Sequence, residues 1–205
     1  MNTNPIGIFD SGIGGLTVAK AIQKVLPNES FIYLGDTAHL PYGDKSPDSI
    51  RAYSKRIAEL LVENNCNAIV IACNTASAHA YKTVLKSIPS NIPVINVVDP
   101  VAGYTASNYS KTKVGVIGTK GTIQSRIYVK RIEKLNPSIK VLSNATPLLA
   151  SMIEEGYYNN KISQSIIDSY LSKSSFKGIE ALILGCTHYP LLTGVISYVA
   201  GDQVT

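Results

Sequence analysis

Short apolar segments alternate with longer amphipathic segments along the whole chain. Between the apolar segments, hydrophobic residues recur at helical spacing, most clearly from Asp48 to Asn64 and again after Thr122. Strands that are apolar throughout and separated by helices are typical of parallel sheets covered on both faces, so the pattern predicts an α/β fold. The predicted strands are 6–9, 31–34, 68–72, 94–98, 114–117, 140–142 and 181–184.

The pattern also predicts two domains, residues 1–97 and 98–205. The segment 97–113 contains Pro100 and Gly103 and ends in a polar run before a fresh strand, which is typical of a boundary. Each half then carries one strand that leads into a cysteine, "AIVIACNT" at 68–75 and "ALILGCTH" at 181–188. We expect two pseudo-symmetric domains, each with a mainly parallel sheet flanked by helices, and an active site in the cleft between them.

Composition excludes several classes of protein. Hydrophobic residues make up 45% of the chain and charged residues 16%, which is typical of a globular protein and not of a disordered one. No apolar run approaches the ~20 residues of a membrane span, and no secretion signal precedes the first strand. With three cysteines a disulfide framework is not expected, so the sequence predicts a cytoplasmic protein with free thiols and no membrane partner.

The net charge of +5 does not come from a concentrated basic patch. The densest cluster, "KRIEK" at 130–134, has the pattern of a solvated helix face, so no nucleic-acid partner is expected. A mildly positive protein suits a small anionic substrate.

Four predicted strands end in polar or reactive residues. Asp10 and Ser11 follow the first strand, Asp36 follows the second, and Cys73 and Cys186 end the two related segments. Ligands of open α/β sheets collect at the carboxyl ends of the strands, so these positions predict a binding site.

Two thiols in matched surroundings suit proton transfer at a carbon centre. Inverting such a centre needs a base on one face and an acid on the other, and the roles exchange in the reverse reaction. A thiol with an ordinary pKa of about 8.5 can serve in either role once neighbours stabilise its thiolate. Asp10 and His188 are candidates to orient the thiols or to take their protons. Main-chain N–H groups and hydroxyls could hold carboxylates and the developing enolate, and they are found at Ser11, Asn74, Thr75 and Thr187.

Other interpretations stay open on the residues alone. Either cysteine could be an inert core residue, and Cys66 is expected to be one. The stretch "GIFDSGIGGLTVA" partly matches a dinucleotide-binding turn, but Thr17 stands where the third small residue belongs, and a smaller anion at a helix N-terminus fits better. Cys186 and His188 could also serve a Cys–His hydrolase, for which Cys73 would be dispensable. No metal-ligand cluster or pyridoxal motif is evident, so neither a metal nor a cofactor is expected.

The sequence as a whole resembles a known family, the cofactor-independent glutamate racemases. The stretches that carry the resemblance run in the family's order: "FDSGIGGLTV" (9–18), "YLGDTAHLPYGDKS" (33–46), "ACNTASA" (72–78), "VGVIGTKGT" (114–122), "PLLASMIEEG" (147–156) and "LGCTHYPLL" (184–192). The related aspartate racemases share the plan of two cysteines but differ around "DSGIGGLTV".

The resemblance implies interconversion of L- and D-glutamate without a cofactor, to supply D-glutamate for peptidoglycan, by a protein that is commonly a homodimer. It implies that Cys73 and Cys186 are the catalytic acid/bases, assisted by Asp10 and His188, with Glu154 as a further carboxylate. The glutamate-binding residues it implies are Asp10, Ser11, Tyr42, Gly43, Asn74, Thr75, Thr119, Thr122, Thr187 and His188.

Two features depart from the family pattern. Thr146 stands where many members have a further cysteine. The chain also ends at "GDQVT", before the segment with which members complete the first domain, so we expect that domain to lack a strand and a helix and to expose apolar surface. Relatives that act on aspartate or maleate, and a module that only binds a nucleotide or another anion, are the alternative functions.

Overall fold

The structure is a computed structural model that describes residues 4–158, 160–172, 176–201 and 203–205. The chain divides into two compact units, Met1–Val97 and Val98–Thr205. In each unit, strands alternate with helices and pair only in parallel within the described residues. The predicted α/β class is therefore confirmed.

The first unit is built on a four-stranded sheet. Its strands are β1 (Ile6–Asp10), β2 (Phe31–Gly35), β3 (Ala68–Ile71) and β4 (Val94–Asn96), in the order β2-β1-β3-β4. The helices that connect them are α1 (Leu16–Val25), α2 (Pro47–Glu63) and α3 (Asn74–Ser87). Helix α2 begins where the sequence predicts, because Ser46 caps it by accepting a hydrogen bond from the Ser49 N–H at 3.1 Å.

The second unit is built on a three-stranded sheet. Its strands are β5 (Lys113–Gly118), β6 (Lys140–Ala145) and β7 (Ala181–Gly185), in the order β6-β5-β7. Around them lie α4 (Val98–Asn108), α5 (Lys120–Ser125), α6 (Ile127–Leu135), α7 (Pro147–Glu154), α8 (Lys161–Leu171) and α9 (Thr193–Ala200). The first three strands of the first unit and the three strands of the second thus share one order, with the earliest strand in the middle.

Both sheets bury apolar side chains on their two faces. In the first unit, Phe9 and Ile71 belong to the larger cluster, which includes residues of α2 and α3, while Ile8 and Val70 belong to a separate smaller cluster. Successive residues of a strand point to opposite faces of the sheet. Because both faces are covered by apolar clusters, these strands have few polar positions. None of the helices in the described ranges is both long and apolar enough to span a bilayer.

Two helical segments differ from what the sequence predicts. The segment predicted as a boundary, 97–113, is mostly the helix α4, which contains Pro100 in its first turn, where a missing N–H costs no intrahelical bond. The helix predicted after Thr122 is two helices, α5 and α6, because Arg126 adopts a left-handed conformation with a φ of 56° between them.

Candidate active site

The first candidate group lies at the carboxyl end of β1. The Asp10 side chain is fully buried, and its Oδ2 accepts hydrogen bonds from the N–H groups of Gly12 at 3.2 Å and Gly15 at 3.0 Å. The turn that precedes α1 is tied further by the Tyr33 hydroxyl, which donates to the Gly12 carbonyl at 2.7 Å. The carboxylate of Asp10 is therefore held in one orientation by the glycine turn itself.

This arrangement explains the glycines that resemble a dinucleotide-binding turn. A Cβ on Gly15 would lie 2.5 Å from Asp10 Cβ, so the position admits only glycine without a shift of its surroundings. The N–H groups of Gly12 and Gly15 face a carboxylate of the chain, and a pyrophosphate placed at this turn would meet that negative charge. The geometry does not favour the nucleotide-binding alternative.

Cys73 lies between β3 and α3 and serves as the N-cap of that helix. Its Sγ accepts a hydrogen bond from the Ala76 N–H at 3.4 Å and lies 3.8 Å from Ser11 Oγ. The residue is 5% exposed. Asn74 and Thr75, which form the first turn of α3, are buried beside it. The structure thus brings together Asp10, Ser11, Cys73, Asn74 and Thr75 in the first unit.

Burial raises the pKa of the Cys73 thiol to about 12, and the nearby Asp10 carboxylate contributes in the same direction. Hydrogen bonds from the Ala76 N–H, the Ser11 hydroxyl and the Thr75 N–H oppose the shift but do not cancel it. At neutral pH the thiol therefore keeps its proton, which makes Cys73 a proton donor in the free protein.

Asp36 organises the loop after β2. The Tyr42 hydroxyl donates to Asp36 Oδ2 at 2.6 Å, and His39 Nδ1 lies 2.8 Å from Asp36 Oδ1. The His39 ring stacks on Tyr53 with a centroid distance of 3.9 Å. Burial, followed by the hydrogen bond to Asp36, raises the pKa of Tyr42 far above its ordinary value, so Tyr42 remains a donor. Gly43 follows it in a short 3₁₀ turn, Tyr42–Asp44.

Cys186 directly follows β7 in the second unit. Its Sγ lies 3.6 Å from Nδ1 of His188, and Nε2 of His188 lies 2.5 Å from Oε1 of Glu154 at the end of α7. A carboxylate can only accept, so Nε2 carries the proton that joins these two groups and Nδ1 faces the thiol as an acceptor. The imidazole can thus take the proton of Cys186, and Glu154 would stabilise the resulting cation.

The exposure of these three side chains differs. Cys186 and His188 are buried, whereas the Glu154 side chain is 24% exposed. The position of His188 in "GCTHYP" predicts it as a site residue from the sequence itself. Glu154 is predicted only by the resemblance to the family. The structure brings the two residues together although 34 positions separate them.

Tyr128 and Tyr189 lie near Cys186, and Thr146 contacts Tyr189; the sequence did not single out these three as site residues. The Thr146 Oγ1 lies 2.7 Å from the Tyr189 hydroxyl, and Thr146 also donates to the Gly118 carbonyl at 3.2 Å. Tyr128 and Tyr189 are buried, which raises the pKa of each, and Cys186 contributes in the same direction. Tyr189 is adjacent to the motif and could have been found there, whereas nothing in the sequence signals Tyr128.

The remaining predicted site residues of this unit lie at the same edge of the sheet. Gly118 at the end of β5 pairs with Gly185 at the end of β7, so Thr119 and Cys186 leave the sheet side by side. Thr119 caps α5 by accepting from the Thr122 N–H at 3.2 Å. Thr187 is buried next to Cys186. Across the described ranges, no group of three or more His, Cys, Asp or Glu side chains is arranged to hold a metal ion.

Comparison with known proteins identifies the family to which this chain belongs. A sequence model of the Asp/Glu/Hydantoin racemase family matches residues 15–205. A glutamate racemase of Geobacter metallireducens is 47% identical over 97% of this chain and 73% of its own length. The solved structure of the Francisella tularensis glutamate racemase in complex with D-glutamate is 43% identical, with a TM-score of 0.93 over all of this chain and 76% of that one. A Bacillus anthracis glutamate racemase isoform is 39% identical, with a TM-score of 0.94 over the same shares. This chain belongs to the Asp/Glu/Hydantoin racemase family.

Proposed function

We propose that this chain interconverts L- and D-glutamate without a cofactor, using Cys73 and Cys186 as its two acid/base groups. The observation that carries the proposal is the unequal setting of two cysteines in related positions. Cys73 is held as a thiol beside a carboxylate, whereas Cys186 faces an imidazole that a second carboxylate orients. One acid and one base are the pair that inversion of a carbon centre requires.

The proposed reaction moves one proton at each step. With the proton of Cys186 on His188, the Cys186 thiolate takes the hydrogen from Cα, and the electron pair of that bond spreads into the substrate's α-carboxylate. The Cys73 thiol then gives its proton to the opposite face of the same carbon. The new Cα–H bond has the opposite hand, and Cys73 is left as the thiolate. In the reverse reaction Asp10 accepts the proton of Cys73, the Cys73 thiolate takes the hydrogen from Cα, and the Cys186 thiol gives its proton to the opposite face.

The other residues would hold the substrate and stabilise its charge. The N-terminus of α3 favours a negative group, and the Ser11 hydroxyl lies beside Cys73 at this helix end. Asp10 would act directly on Cys73, and Glu154 would act on Cys186 as a positioning residue through His188. The further substrate-binding residues we propose are Tyr42, Gly43, Thr119, Thr122, Thr187 and His188.

The close relatives named as glutamate racemases favour glutamate over aspartate or maleate as the substrate. The D-glutamate formed would supply peptidoglycan synthesis in the cytoplasm. The homodimer that the resemblance implies remains a prediction, which analytical ultracentrifugation of the purified chain checks.

Isotope exchange tests the proposed activity. The purified chain is incubated in heavy water with L-glutamate, D-glutamate, or either enantiomer of aspartate, with no added cofactor. We expect ¹H NMR to show loss of the Cα signal of glutamate from both enantiomers, together with the appearance of the opposite hand on a chiral column. Retention of the Cα proton in glutamate would contradict the proposal, and faster exchange of aspartate would contradict the choice of substrate.

A further inference from the structure

A second site is suggested at the amino ends of the strands of the second unit, the opposite end of that sheet from Cys186. A cleft of about 490 Å³ opens there, which we call the amino-end cleft. The cleft is shallow and opens widely to solvent, which suits a small, well-hydrated ion or headgroup. The lining residues that matter are Lys111, Thr112, Lys113, Ser138, Lys140 and Glu180.

The charge of the amino-end cleft is strongly positive for its size. Lys113 and Lys140 begin the neighbouring strands β5 and β6 and are paired in register, so two exposed ammonium groups share this edge with Lys111. Within the part of the chain that the structure describes, none of the three forms an ion pair with a carboxylate. Against the single carboxylate of Glu180, the cleft carries a formal charge of +2. A phosphate monoester carries about −1.5 to −2 at pH 7, which matches it.

Thr112 supplies an independent observation. The residue is 8% exposed and lines the cleft, yet its Oγ1 has no hydrogen-bond partner among the described residues. A buried hydroxyl that makes no hydrogen bond costs free energy, and such groups in folded proteins call for an explanation. The oxygen itself is closed off from solvent in this conformation, and rotation of the Thr112 side chain about its Cα–Cβ bond would turn the hydroxyl toward an anion in the cleft.

The loop that carries Lys111 is held in place. The Lys111 N–H donates to Ser138 Oγ at 3.1 Å, and the Ser138 hydroxyl donates to Asn136 Oδ1 at 2.7 Å. Lys111 itself has a φ of 55°. Its backbone is thus fixed against the loop that precedes β6, so that only side chains must be ordered when a ligand binds.

We infer that the amino-end cleft binds a phosphate group, held by the three lysines and the Thr112 hydroxyl. Free phosphate and a small phosphate ester share this chemistry, and the volume of the cleft leaves space for the organic part of an ester. This inference does not depend on the proposed racemase activity, because it concerns the other end of the sheet.

An NMR titration tests the inference. The ¹⁵N-labelled chain is titrated with inorganic phosphate, glycerol 3-phosphate or glycerol at constant ionic strength, which separates specific binding from screening. We expect saturable shifts of the amides of Lys111, Thr112, Lys113 and Lys140 with both phosphates and none with glycerol. Tighter binding of glycerol 3-phosphate than of inorganic phosphate would identify an ester site, and the reverse order a site for the free anion. The absence of saturable shifts, or shifts centred elsewhere, would overturn the inference.

Three variants sharpen the test. Lys113→Gln and Thr112→Val should each weaken phosphate binding by about three- to tenfold, as expected for the loss of one exposed ion pair or one ordinary hydrogen bond. Thr112→Val should do so without lowering the melting temperature, because the hydroxyl that it removes has no partner to lose. Lys134→Gln, an exposed lysine at the end of α6, is the matched control and should bind as the wild type does. Equal binding by all three variants would contradict the site.

Discussion

The protonated state of Cys73 can be tested through the pH dependence of stability. Burial gives the Cys73 thiol a folded-state pKa of about 12, against an unfolded value of 9.0, which is the upper end of the ordinary thiol range of about 8–9. A folded pKa that lies above the unfolded value means that stability is complete below pH 9 and is lost as the pH rises through 12. The change Cys73→Ser removes this titration and keeps a hydroxyl that can still cap α3.

The magnitude follows from the two pKa values. Between pH 7 and pH 10, the titration of one such thiol lowers the free energy of unfolding by about 1.4 kcal/mol. Tyrosines with raised pKa values also titrate at alkaline pH, but they are present in both proteins, so their contribution cancels in the comparison. Wild type should therefore lose about 1.4 kcal/mol more than Cys73→Ser over this range.

Urea unfolding followed by circular dichroism at pH 7 and pH 10 measures this difference. For each protein, the free energy of unfolding at pH 10 is compared with its own value at pH 7. Any difference in stability between the two proteins at pH 7 therefore does not affect the result. An equal loss of stability in both proteins would refute the reasoning, because Cys73 would then titrate as it does in the unfolded chain.

Three further predictions concern other parts of the structure. Glu154→Gln should lower kcat/KM for racemisation by roughly 10- to 100-fold, because His188 loses its charged partner. The melting temperature should change little, and an unchanged kcat/KM would exclude the role of Glu154. Gly15→Ala should lower the free energy of unfolding by about 1–3 kcal/mol, since its Cβ would overlap Asp10, and a urea titration showing wild-type stability would contradict the close packing. Arg126→Gly should raise the free energy of unfolding by roughly 0.5 kcal/mol because glycine adopts the left-handed conformation without strain, and a lower midpoint in urea would disagree.

The strands and the two cysteines could be predicted because their signals are local. A strand covered on both faces is apolar at every position, so a cysteine, an aspartate or a histidine directly after it stands out. The Asp10 and Cys73 positions each follow such a run. The candidate site residues at the carboxyl ends of β1 and β3 could therefore be predicted from the sequence alone.

Features that depend on irregular backbone were harder to predict. Asp36 binds Tyr42 and His39 within a loop whose residues follow no period, so the sequence left the role of Asp36 open. The helix α4 was missed because Pro100 and Gly103 suggest a break, although buried Val98, Ala102 and Thr105 recur at helical spacing. That spacing was the stronger signal, since a proline in the first turn is tolerated.

The environment of Cys186 depends on tertiary packing. Tyr128 comes from α6 and Glu154 from α7, and no spacing rule relates either residue to a thiol after β7. The left-handed conformation of Arg126, which separates α5 from α6, could not be predicted from the sequence either, because arginine rarely adopts that conformation.

The requirement for both thiols is the central claim, and chiral chromatography of single-cysteine variants tests it most directly. Cys73→Ser and Cys186→Ser are each assayed with L-glutamate and with D-glutamate, and Cys66→Ala, which alters a buried cysteine outside both groups, is the control. We predict that either serine variant fails to form the opposite enantiomer from either substrate, while the control retains activity. Racemisation at the wild-type rate by Cys73→Ser or by Cys186→Ser would contradict the account.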